Sequence, residues 1–356
     1  MLGIDPRAAR ITWTVFLVAL LIATAYAIRA TIVVLAVSLF FAYLLMPIVG
    51  FVERHTPRRV SPGVALVLVY LALLAALVGI GFTIGARIAD EASMLAARLP
   101  DLLQNRQWID TIPLPAWLEP ARQRIAQSIQ AEFADGGKNL VPYIKNIGMQ
   151  ILAGATYIVD IVLVPILAFF FLKDGAQMRD GLVDSLVDPS RRPVIEGILG
   201  DINRLLGQYI RALVFMGLSS FLAYSLFLGI TGAPYAVLLA GVAALFELIP
   251  VVGPLTAGVI VVVVTGLSGY THIVWFLLFW AIFRMFQDYV LSPHLMSAGV
   301  ELHPMLVLCG VLAGERIAGI AGMFFSVPVL ATLRVIFVRL QRARRREDMI
   351  PARADV

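Results

Sequence analysis

Charge and cysteine are what this chain has least of. Of its 356 residues only 14% are Asp, Glu, Lys or Arg, against about 25% in an ordinary soluble domain. One cysteine, Cys309, excludes an intramolecular disulfide and a cysteine-based zinc cluster. Lying in an apolar run, it reads as a small buried hydrophobe. The four histidines, His55, His272, His294 and His303, show no HExxH or other compact ligand spacing, so no metal site is expected. A GxxxxGK[ST] phosphate loop is also missing, which leaves no ATP motor of that kind and no expected cofactor.

Apolar residues fill the space that charge leaves: 60% of the chain is hydrophobic, where about 45–50% is usual. Uninterrupted runs of about 17–25 residues, long enough as helices to cross ~30 Å of hydrocarbon, recur along its length. Lipid is therefore the expected solvent. The formal charge of +5 would suggest nucleic acid in a soluble protein. Here the arginines gather at the margins of apolar runs and in the tail, where they orient a membrane protein, and no nucleic-acid partner is expected.

Residues 1–86 read as N-terminal membrane spans, with apolar segments at 11–28, 31–50 and 63–85. A cleaved signal peptide ending near Ala25-Tyr26-Ala27 is weighed and set aside, because the first run is long for a signal and a second span follows directly after Arg29. Arg7, Arg10, Arg54, Arg58 and Arg59 place the N-terminus and the second loop in the cytoplasm, and the turn at Arg29 outside. Residues 87–148 form a polar helical insertion, extracytoplasmic by counting crossings. Ile88, Met94, Leu95, Leu99, Leu102 and Leu103 approximate one amphipathic face of it, Pro113 and Pro115 break it, and 116–133 gives a second helix.

A span at 149–172 returns to the cytoplasm, and 173–211 reads as a cytoplasmic amphipathic helical segment near the membrane surface. In 212–338 a span at 212–230 precedes an apolar stretch, 234–267, too long for one helix and too short for two, broken by Ile249-Pro250-Val251-Val252-Gly253-Pro254. A span at 272–291, a polar segment at 292–303 and a second overlong stretch, 304–338, interrupted at Gly314-Glu315-Arg316, follow. Each overlong stretch is either a re-entrant hairpin or a span with an unwound centre. Both solutions leave the basic tail, 339–356, in the cytoplasm. The fold class is thus an all-α integral membrane protein with broken or re-entrant helices and an extracytoplasmic helical insertion. Paired interruptions of this kind place backbone dipoles and carbonyls at a midplane site in secondary transporters.

Glu247 lies in apolar sequence, where a charge persists only if it meets a cavity or a partner. It reads as a substrate, proton or cation contact, or else as a helix-end carboxylate at the membrane surface. Pro250 and Pro254, flanking Gly253, free carbonyls and permit tight turns. Arg284, Gln287 and Asp288 read as a substrate-facing polar cluster on the pathway, or else Arg284 and Asp288, at the i, i+4 spacing, as a solvated interfacial ion pair with Gln287 the better candidate to face inward. Glu315 and Arg316 suit the tip of a hairpin lining a pathway, beside small residues that permit close packing. The string Gly266-Leu267-Ser268-Gly269 matches the GxSG of rhomboid intramembrane proteases, but it lies at the polar end of an apolar stretch where glycine and serine usually make a turn, and no later histidine is centred in a span. An enzyme is not expected.

The second half is specific enough to carry a resemblance. Gly207-Gln208-Tyr209-Ile210-Arg211, Gly232-Ala233-Pro234-Tyr235-Ala236 and Glu247 through Pro254 resemble the autoinducer-2 exporter family of bacterial permeases. So does the terminal block through Gln287, Pro293, Gly299, Leu302-His303-Pro304, Gly314, Gly319-Ile320-Ala321-Gly322 and Val327-Pro328. The resemblance implies an inner-membrane protein with about eight membrane segments and homo-oligomeric assembly, with a pentamer as the named candidate. Family members are described as exporters of the quorum-sensing signal autoinducer-2 and some as sodium or lithium ion/proton antiporters.

The expected protein is a secondary transporter exporting a small polar solute of the autoinducer-2 kind, driven by an ion gradient or by the solute's own. A cation/proton antiporter and a non-transporting membrane scaffold are the alternatives. Its expected partners are the bilayer, the solute or a monovalent cation with protons, and copies of itself. Residues after about 205 are expected to build the pathway, with Glu247 and the Pro250–Pro254 break as one wall and Gln287 with Gly314–Gly322 as the other. Gly207, Gln208, Arg211, Pro304, Gly314, Gly319, Gly322 and Pro328 are read as structural or gating positions.

Overall fold

A computed structural model of the chain describes residues 6–55, 62–104, 158–189, 191–295 and 302–349. Every regular element among them is a helix: α1 (Pro6–Ala27), α2 (Arg29–His55), α3 (Pro62–Gln104), α4 (Ile158–Leu186), α5 (Arg192–Ile230), α6 (Ala236–Phe246), α7 (Val252–Leu267), α8 (Ile273–Phe286), a π-helical turn (Gln287–Leu291), α9 (Ser292–Leu295) and α10 (Pro304–Met349). Among the described residues, 6 stretches are long and apolar enough to cross a membrane. Large apolar side chains such as Phe82, Leu226 and Leu312 point outward. Hydrocarbon offers no partner to a bare peptide group, so helices that satisfy their own backbones are what such a chain can build. The chain is an all-α, multi-pass membrane protein.

Several helices run past the limits of their apolar runs. α3 has 43 residues, about 65 Å at 1.5 Å per residue and twice the hydrocarbon thickness. Its distal half buries Ala89, Ala92, Leu95, Ala96 and Leu99 at helical spacing. Of the residues expected to share one amphipathic face, Leu95 and Leu99 are buried, Ile88 and Leu102 half-buried and Met94 exposed. Glu91 Oε2 accepts a hydrogen bond from Leu238 N at 2.9 Å, filling an orphan donor in the first turn of α6, whose N-cap Tyr235 makes no side-chain cap. The second helix expected at 116–133, its proline break and the start of the 149–172 span lie outside the described residues.

α5 continues without a joint through Arg211 and Ala212, uniting the amphipathic segment and the following span. Its buried positions, from Ile198 through Ile210, Leu213, Gly217 and Tyr224 to Leu228, keep a helical spacing throughout. Tyr224, Leu228, Leu239, Ala240, Ala257, Val261 and Phe276 form the central core, where α5, α6, α7 and α8 meet. Small residues let the backbones close up. A side chain on Gly217 would stand 3.3 Å from the Ala244 carbonyl oxygen. At the α5–α6 turn, Tyr270 Oη donates to Thr231 Oγ1 at 2.6 Å and ties in the α7–α8 turn.

Both overlong stretches are helical pairs joined by a tight tip. α6 and α7 have 11 and 16 residues, about 16 and 24 Å, each short of a full crossing. α10 breaks at Ala318 (φ −141°, ψ 23°) and Gly319 (φ 59°, ψ −137°). Gly314 and Gly322 then lie backbone against backbone, while Gly310 meets Leu330 and Ser326, so the second arm doubles back along the first. The turn falls just after the Gly314-Glu315-Arg316 interruption because Gly319 adopts a positive φ that glycine takes at no steric cost. Its tip borders the same depression as Arg29 and Thr31. At the opposite end of the bundle, Arg339 pairs with Asp201 of α5 at 2.6 Å. Cys309 is exposed on the outer side of the first arm, so the expectation that it is buried does not hold.

Candidate functional site

The sequence Glu247-Leu248-Ile249-Pro250-Val251 ends α6 and turns the chain into α7. Val251 holds φ 67°, ψ −56°, a conformation costly for a β-branched residue. Gly253 follows in the first turn of α7, where any Cβ would collide with the Phe246 carbonyl and lie 3.2 Å from Ile249 Cβ. Pro254 also sits in that first turn, where its lost N–H is one that no helix would use. Two ends of backbone are thereby packed against each other, with Glu247 carried at the tip.

Glu247 is 7% exposed, Gln287 2% and Ser220 1%. Ser220 Oγ donates to Glu247 Oε2 at 3.0 Å, and Gln287 Nε2 donates to Ser220 Oγ at 3.0 Å. On the other carboxylate oxygen, Arg284 Nη1 lies 3.2 Å from Glu247 Oε1. The same guanidinium grips Asp288 through Nε at 2.9 Å and Nη2 at 2.5 Å. One cation thus serves two carboxylates, and the cluster carries a formal charge of −1. The π-helical turn begins at Gln287. Its wider winding follows the straight run of α8 at the point where Arg284, Gln287 and Asp288 must reach different partners.

A cavity of about 310 Å³ opens against this cluster. Glu247, Pro250 and Pro254 of the hairpin tip line it together with Arg284; α5 contributes Gln208, Tyr209 and Met216, and the α10 arms contribute Val307, Val327 and Ala331. The walls are largely apolar, with the charged pair at one side. Tyr209 also lines the cavity, and its Oη is buried out of solvent reach without a hydrogen-bond partner among the described residues.

The structure therefore brings Glu247, Pro250, Gly253, Pro254, Arg284 and Gln287 to one place, joined on the outer side by Asp288. Gln287 stands on the same side as Glu247, linked to it through Ser220, and the facing wall comes from the middle of the α10 arms. Gly314, Gly319 and Gly322 lie instead at the α10 tip, at the Arg29 end, where Glu315 pairs with Arg316 at 3.6 Å. Gln208 lines the cavity, whereas Gly207 and Arg211 border a separate depression beside Tyr43. Pro304 opens α10, and Pro328 packs in its second arm near Tyr43. Ser220 was not singled out from the sequence, since a serine in an apolar helix reads as a small packing residue. Its pairing in sequence with Ser219 is the one signal that could have marked it.

Similarity to known proteins bears on the whole of this architecture. "Putative transport protein YrrI" of Bacillus subtilis is 25% identical over 89% of this chain and 88% of its own length. "Putative transport protein MJ1177" of Methanocaldococcus jannaschii is 23% identical, covering 92% and 96%, and "Putative permease PerM" of Escherichia coli K12 is 25% identical, covering 85% of each. The family model described as AI-2E family transporter matches residues 15–342, across all the helices that build the cavity. The chain belongs to the AI-2E transporter family.

Proposed function

We propose that this permease is a secondary transporter that exports a small polar solute across the bacterial inner membrane, with both termini in the cytoplasm. The observation that carries this reading is the cavity of about 310 Å³ closed on one side by the Glu247–Arg284 pair. Its volume is at the small end of the ~300–1,000 Å³ usual for ligand sites. Apolar walls with a few convergent polar groups suit a compact, hydroxyl-bearing solute that competes for Arg284 as it binds. An autoinducer-2-like signal is the substrate we put first.

A second reading, sodium or lithium exchange for protons, is favoured by one feature: a carboxylate, Glu247, faces the cavity and shares its counterion with Asp288. Both readings use the hairpin tip, held by the strained Val251 and the Gly253 crossing, as the part that moves. In orientation, Arg54 and Arg339 stand on the cytoplasmic side and Arg29 outside, which puts the cavity nearer the cytoplasm. Assembly into homo-oligomers, a pentamer among them, draws support from α1, whose described side chains are exposed almost all round.

Proteoliposomes containing wild type or Glu247→Gln test the proposal, comparing autoinducer-2 flux with sodium-triggered proton movement under an imposed gradient. Signal flux lost in the variant supports the exporter, and sodium-coupled proton flux supports the antiporter. Wild type that moves neither refutes both substrates, and a variant equal to an active wild type refutes the site as assigned. A scaffold protein would be indifferent to the substitution.

A further inference from the structure

We propose that a second depression, distinct from the transport cavity, is a binding site for the phosphate headgroup of an anionic phospholipid. It encloses about 630 Å³ between α2, α3, α4 and α5. Three arginines border it, Arg54 at the end of α2 and Arg204 and Arg211 on α5, and no carboxylate is among its described lining residues. Arg204, Gly207 and Arg211 follow at i, i+3 and i+7, so they share a helix face. A Cβ at Gly207 would stand in ordinary contact with the Tyr43 ring at 3.6 Å, and Tyr43 Oη donates to Asn203 Oδ1 at 2.7 Å. No ion pair to a described acid engages any of the three arginines, whereas Arg284 and Arg339 each have one. Among the described residues nothing pairs these three cations, which repel each other around one hollow and call for an anion.

The position selects a lipid rather than a dissolved ion. Each of the four helices changes from apolar to polar at this level: α2 at Glu53-Arg54, α3 near its start at Leu66, α4 at Leu172-Lys173, and α5 at Arg211-Ala212. That is the depth of the headgroups. Below the arginines the hollow is apolar, with Met46, Val49, Leu66 and Leu172 along its walls. A phosphodiester among the arginines would let its acyl chains follow that surface, and lipids of this kind are drawn to basic clusters at the cytoplasmic face.

The test is thermal unfolding of the purified full chain in detergent, with added phosphatidylglycerol, phosphatidylcholine or inorganic phosphate. Wild type should be stabilised by phosphatidylglycerol well beyond phosphatidylcholine, and phosphate alone should add little. Arg204→Gln with Arg211→Gln should weaken the apparent affinity for phosphatidylglycerol roughly twenty- to thirtyfold, taking each charge at its usual contribution near a membrane surface. Gly50→Phe gives a check that keeps all charges: a Cβ at Gly50 meets nothing within 4 Å, so the ring would fill the hollow and remove the preference. Equal responses to both lipids in wild type, or a preference that survives both variants, would overturn the proposal. Stabilisation by phosphate alone to the same extent would overturn the lipid assignment in favour of a free anion.

Discussion

Glu247 and Arg284, separated by 37 positions in the chain, meet at 3.2 Å across the gap between the hairpin tip and the end of α8. Arg284 is already committed to Asp288 one helical turn away, so the contact with Glu247 is the bond that a moving tip must break. Removing one partner of a buried pair usually costs far more than the pair contributes, because the other charge is stranded. Here Asp288 keeps Arg284 neutralised, which makes the Glu247 side separable.

Replacing Glu247 by Gln should accordingly lower flux at least tenfold while changing unfolding stability by only about 1 kcal/mol, since the amide oxygen still accepts from Ser220. Glu247→Leu should cost about 3 kcal/mol, because the buried Ser220 hydroxyl and one arm of Arg284 then lose their acceptor. Unfolding in detergent alongside flux separates the two effects. Equal stability of the two variants would show that the hydrogen bonds contribute nothing.

At the α10 crossing the usual effect of a glycine substitution should reverse. Glycine to alanine in a helix normally stabilises by about 0.5–1 kcal/mol, and Gly79→Ala on α3, with nothing within 4 Å of its Cβ, should do so. Gly314→Ala should instead destabilise by about 1–3 kcal/mol, because its methyl meets the Gly322 carbonyl, which is backbone and cannot rotate away. Thermal unfolding of the two variants side by side checks the sign, and stabilisation by Gly314→Ala would disprove the close crossing.

Val251 offers a test of stored strain. A valine at φ 67° costs about 1–3 kcal/mol, and its side chain is 49% exposed, so little packing is lost on removing it. Val251→Gly should leave stability unchanged or raise it by about 1 kcal/mol, whereas Val251→Ala, which keeps the Cβ, should not. If the tip moves during transport, the glycine variant should also show altered turnover with Glu247 and Arg284 intact. A drop of more than about 1 kcal/mol in Val251→Gly would contradict the strain.

These relationships were legible in the sequence to different depths. The expense of Glu247 in an apolar run, the i, i+4 pair of Arg284 and Asp288, and the two interrupted stretches are all local patterns, and the structure contains each of them. What joins them is not local: Ser220 reaches Glu247 across 27 positions and Gln287 across 67, and nothing in a single serine announces which helix it will face. Continuity was also hidden. Arg211 next to Ala212 marks a change of solvent, which hydropathy reports faithfully, but α5 crosses that change as one helix because its buried face keeps the same period.

The course of the two hairpins yields the last prediction. The α10 tip shares a depression with Arg29 and Thr31, while Arg339, at the end of the returning arm, pairs with Asp201. The returning arm from Ile320 to Arg339 is about 30 Å long, enough to cross the hydrocarbon, so we expect the tip and the base to open toward opposite sides of the membrane. In a variant with Cys309→Ala, a cysteine at Ile317 should react with an impermeant maleimide from the same side as one at Arg29, and a cysteine at His303 only from the other. Ile317 and His303 are both exposed, so burial does not confound the reading. If all three labelled from one side, α10 would not traverse the bilayer, and the cavity walls at Val307, Val327 and Ala331 could not stand at the depth the bundle gives them.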